Sequence, residues 1–124
     1  MQEHLRQFEV GPDPFGRQWS VQFRWLQTGI SIRHADTIDV KFFVKADDGS
    51  EEEKIIALPH AALLAVCKER GRTLTDPWCL KLAALHLRHM IMTAEDIEKT
   101  IVTLRAAEIA DLDRELQGEA VAAR

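Results

Sequence analysis

The sequence predicts an α+β fold: an antiparallel β-meander of three to four strands, followed by three helices packed on one face of the sheet. Three observations predict it. From Trp19 to Val44 apolar and polar residues alternate with a period of two, the mark of strands with one buried face. Clusters of Gly, Pro and Asp punctuate the first half of the chain at the places where a meander must turn. After Pro59 the apolar spacing becomes helical and stays so. The meander occupies residues 1–58 and the helices 59–117 of a single domain. The tail 118–124, G-E-A-V-A-A-R, is expected to fray.

The first strand spans roughly Leu5 to Val10, with Phe8 and Val10 inward. The segment G-P-D-P-F-G then reads as a loop. A long hairpin follows. Trp19, Val21, Phe23 and Trp25 alternate with Ser20, Gln22 and Arg24, and Ile38, Val40, Phe42 and Val44 alternate with Asp39, Lys41 and Phe43. A turn at Ala35 sets Ile32 opposite Ile38 and Ile30 opposite Val40. Carried further, that count throws Trp25 onto the wrong face unless one extra residue enters near Thr28 and Gly29, where glycine suits a bulge. Trp25 then meets Val44, and Leu26 lies opposite Phe43 on the outward face. Asp47-Asp48-Gly49-Ser50 turns the chain into a fourth strand, about Glu52 to Leu58.

The first helix covers His60 to Arg70, with Gly71 as its stop. The second opens at Asp76-Pro77 and runs to about Met92. Only a narrow stripe of it is charged, so it is expected at the centre of the core. The third is expected to begin at Thr93, with Asp96 three residues on in a capping-box spacing. Its apolar stripe is Ile97, Ile101, Leu104, Ile109, Leu112 and Leu116. A helix of over twenty residues spans roughly 30 Å, so its far end is expected to reach past the body towards a partner. Trp19, Trp25 and Trp78 read as core.

At 124 residues the chain can bury a core without disulfides or metals. A net charge of −4 lacks the basic footprint of a nucleic-acid binder. No apolar run is long enough to span a membrane, and the start M-Q-E-H-L-R-Q-F carries no apolar leader. Two cysteines, Cys67 and Cys79, fit a reducing, cytoplasmic setting; a single bridge between them is possible, but nothing demands it. Phosphate-loop, dinucleotide, nucleophile-elbow and paired C-x-x-C motifs are all missing, and no cofactor motif is found.

Four constellations remain. His86 and His89, three apart on the second helix, could reach one metal ion, with His60 as a further ligand. Buried core histidines held by hydrogen bonds would look the same. Lys68, Arg70 and Arg72 gather at the end of the first helix as candidate anion contacts. The hairpin tip sets Arg33, His34 and Asp36 together, either as function or as turn chemistry. The outward Leu26–Phe43 pair and the third-helix residues Leu112 and Leu116 are candidate contact residues. The expectation is a non-enzymatic interaction or structural module, a homo-oligomer or the partner of another protein. The alternative is a small metal- or ligand-binding protein, conceivably an enzyme, built on His86 and His89.

Overall fold

The computed structural model describes residues 6–29 and 36–122. Five strands are seen: β1 (Gln7–Val10), β2 (Trp19–Gly29), β3 (Thr37–Ala46), β4 (Glu51–Pro59) and β5 (Ile101–Thr103). Three helices accompany them: α1 (His60–Arg70), α2 (Asp76–Thr93) and α3 (Ala106–Ala122). The sheet order is β1-β2-β3-β4-β5. The first four strands pair antiparallel, and β5 lies parallel to β4. The fold is thus α+β with three helices, but the sheet is mixed and has a fifth strand that the meander pattern does not contain.

Alternation decides which face is buried. Along β3, Ile38, Val40, Phe42, Val44 and Ala46 are buried, while Asp39, Lys41 and Phe43 are half-buried on the other side. Val21, Ile56, Leu58 and Val102 share the inward face with them. Leu63, Val66 and Cys67 of α1, most of α2, and Ile109 and Leu112 of α3 complete one continuous core. α2 touches β1 to β4, whereas α3 packs on α1 and α2 as a second layer. All three helices therefore sit on one face of the sheet.

Local chemistry sets the ends. Gly49 at φ 94° and the Asp48 carboxylate, which accepts from Ser50 N at 2.9 Å, form the β3–β4 turn. Gly71 at φ 64° closes α1 in the left-handed conformation, with Arg72 N donating to Cys67 O. α2 is capped by Thr75, one residue before the expected Asp76, and the Thr75 hydroxyl accepts from Trp78 N.

Three expectations about the hairpin need correction. The bulge lies between Phe23 and Trp25, not near Gly29. Leu26 therefore pairs with Val40 and packs against the core, and Phe43 faces Gln22 and Glu53. Trp25 pairs with Lys41 on the outward face and is not a core residue. Pattern alone could not separate these, because Trp25 and Leu26 are adjacent and equally apolar. The paired positions expected for Ile30 and Ile32, and the turn at Ala35, lie outside the described residues.

No helix begins at Thr93. Its hydroxyl donates to His89 O at 2.7 Å and accepts from Glu95 N, so it closes α2 instead of opening α3. Ala94 and Asp96 then take positive φ angles of 59° and 56° and turn the chain back to the sheet. Ile101, expected on a helical stripe, is on β5 and 58% exposed. The true α3 is shorter and begins at Ala106, though it continues to Ala122 where fraying is expected from Gly118. Its apolar residues serve the core: Leu112 is buried and Leu116 is half-buried against it, so the expected contact residues of this helix are largely taken up by folding.

Candidate functional site

Of the places singled out by sequence, the outward face of the sheet is the one the fold leaves open. Among the described residues no helix lies on it. One row crosses four strands in register: Trp25 on β2, Lys41 on β3, Ile55 on β4 and Ile101 on β5. Lys41 Nζ stands 5.4 Å from the Trp25 ring centroid. Its aliphatic stem therefore continues the apolar row, with the charge at one side. Beside that row, the Arg24 guanidinium lies 5.1 Å over the Phe43 ring. The bulge makes this possible, since it turns Trp25 outward where strict alternation would bury it.

From Lys41 to Lys45 the charges on this face are sorted by strand, while Asp39 breaks the pattern further along β3. Lys41 and Lys45 lie on β3, and Glu51 and Glu53 lie opposite on β4. Lys45 Nζ is 3.7 Å from Glu51, and Lys41 pairs with Glu53. Such solvated pairs add little to stability, typically about 0–1 kcal/mol. They do impose a pattern, one basic and one acidic stripe running along the strands.

The histidines come together only in part. His86 and His89 line one cavity of about 250 Å³ with Thr93, Glu95, Asp96 and Glu108. Burial pushes the His86 imidazole below its ordinary pKa, against the pull of the nearby carboxylates of Glu108, Glu95 and Asp96. His89 is instead turned to Glu115, 2.9 Å away across the α2–α3 contact. His60 is not among the residues of this cavity; its backbone N donates to Asp36 O at the start of α1. Among the described residues no three His, Cys, Asp or Glu side chains are placed to hold a metal ion. Cys67 and Cys79 are both buried and unbridged, and burial pushes the Cys79 thiol up to about 12.

The basic cluster at the end of α1 is not free. Arg70 and Arg72 turn inward to Asp113 of α3, which is 0% exposed. Arg70 Nε lies 2.7 Å from one carboxylate oxygen, at an angle unlike that of a hydrogen bond, and Arg72 Nη2 lies 3.2 Å from the other. The Trp78 indole donates to the carboxylate at 2.9 Å, and Gln117 Nε2 donates at 3.4 Å. Lys68 stays exposed at the surface. Asp113 was the missed member. A signal existed, because it stands four residues after Ile109 and three before Leu116, on the stripe that α3 buries.

At the other end of the molecule, Asp36 is exposed and Asp39 accepts from the Thr37 hydroxyl at 2.8 Å. Arg33 and His34 lie outside the described residues. No protein-family model, no curated protein and no solved structure matches the chain.

Proposed function

We propose that the protein is a non-enzymatic interaction module that pairs with a second copy of itself through the outward face of the sheet. The observation that carries this reading is the row Trp25–Lys41–Ile55–Ile101, apolar but for the Lys41 ammonium group and left uncovered by the described helices. The charge pattern favours a second copy over an unrelated partner. A twofold axis parallel to the strands, between β3 and β4, lays the lysine stripe of each copy over the glutamate stripe of the other. The same operation sets Trp25 of one copy over Ile101 of its partner. Aligned sheet-on-sheet packing of this kind is a common way to bury two sheet faces. The two unbridged thiols suit a reducing, cytoplasmic setting for such an assembly.

Paired cysteines test the geometry. Within one chain Trp25 and Ile101 are three strand spacings apart, about 14 Å, too far for a disulfide. Two sheets packed face to face lie about 10 Å apart, so a thiol-specific linker about 10 Å long, too short for the separation within one chain, should join a Trp25→Cys/Ile101→Cys double variant into a dimer, visible on a denaturing gel. The two single variants should remain largely monomeric there. Equal cross-linking by all three, or none by the double variant, would overturn the reading.

A further inference from the structure

Beside the Asp113 cluster lies a cavity of about 260 Å³, lined among others by Arg72, Trp78, Lys81, Asp113, Leu116 and Gln117. Its electrostatics are unbalanced. The Asp113 carboxylate is a single negative charge held between two guanidinium groups, Arg70 and Arg72. Lys81, from the second turn of α2, adds another positive charge at the cavity wall. No described carboxylate lies within ion-pair distance of Lys81.

The donors also outnumber the acceptors. Asp113 already accepts from the Trp78 indole and Gln117 and is ion-paired with the two arginines. Arg72 Nε is nevertheless buried with no acceptor. That nitrogen is out of a ligand's reach, but the Arg72 side chain is 32% exposed, so the rest of its guanidinium can donate to a ligand oxygen. Trp78 and Leu116 supply apolar wall beside these polar groups, the usual make-up of a small-molecule site. The volume is below the roughly 300 Å³ at which drug-sized pockets begin, so the ligand is small.

We infer that this cavity is a binding site for a small oxyanion, a carboxylate or a phosphate, gripped between Arg72 and Lys81 against the Trp78 ring. The site is separate from the outward sheet face and does not depend on self-association. It is a local exception in a chain of net charge −4, which as a whole repels anions.

Nuclear magnetic resonance of the full chain tests it, following the Trp78 indole N–H during titration with inorganic phosphate and, separately, with benzoate. The site predicts a saturable shift of that signal. Lys81→Met should weaken binding about tenfold or more, the effect of losing one charge-assisted contact. Lys68→Met removes the same charge from an exposed position that is not part of the cavity wall and should leave binding unchanged. Saturation by phosphate alone assigns a phosphate ligand, by benzoate alone a carboxylate, and by both a general oxyanion site. No saturable shift with either probe, or equal weakening by the two lysine variants, overturns the inference. The spectra of the variants show directly that the fold is kept.

Discussion

Asp13 shows how a single acid organises a loop. Its side chain is nearly inaccessible, and its two oxygens accept from Phe15 N, Arg17 N, Arg17 Nε and the Trp19 indole, all at 2.8–2.9 Å. Burial alone would raise its pKa, but the indole, backbone and guanidinium donors outweigh it and hold the group at about 2. The ordinary value is 3.8, so the folded state binds this proton less readily than the unfolded chain. The stabilisation is complete above pH 3.8 and is lost as pH falls towards about 2. Urea midpoints measured across that window should fall more steeply for the natural chain than for Asp13→Asn. Equal slopes would show that Asp13 is not selectively stabilised in the folded state. Sequence placed the turn here correctly from its Pro and Gly, yet missed the acid's role. Buried acids and lysines go unread in general because charge argues for solvent. Asp113 and Lys54 were missed for the same reason, although both stand at apolar positions of their elements.

Among the elements, β5 owes its place to Lys54. This residue occupies an inward position of β4 opposite Phe42 and is 1% exposed. Its ammonium group donates to Ile97 O and Lys99 O, and pairs with Glu52 at 3.0 Å. The turn after α2 is thereby fastened to the sheet, and Thr100 O accepts from Ile55 N as β5 begins. Lys54→Met keeps most of the packing but strands the two carbonyls, so a loss of about 1–3 kcal/mol is expected by urea denaturation. Amide exchange at Ile55 and Leu104, whose N–H groups bond across this junction, should quicken with it. Unchanged exchange at both would show that β5 is held by other means. The helices α1 and α2 were legible because their stops and periodicity are local. β5 was not, since a three-residue parallel strand leaves only a brief β-branched run, Thr100 to Thr103, inside a plausible helical stripe. The bulge was hidden for a different reason: moving it by a few residues exchanges Trp25 for Leu26 at no cost in apolar pattern.

For the whole molecule, the half-buried outward face is the feature on which the proposed self-association rests. Sequence reading pointed to this face through Leu26 and Phe43, and to α3 through Leu112 and Leu116. Folding consumes three of those four in or against the core and offers Trp25, Ile55 and Ile101 instead. Which face stays open follows from where the helices land, and no strand's own pattern records that. The central claim is that this face meets a second copy. Native mass spectrometry of the untagged chain at neutral pH and micromolar concentration tests it most directly. The account predicts a species at twice the 14.1 kDa chain mass, reduced to the single mass by Trp25→Glu, which still leaves Lys41 a partner within its own chain. A natural chain that stays at 14.1 kDa as concentration rises, or a dimer untouched by Trp25→Glu, would contradict it.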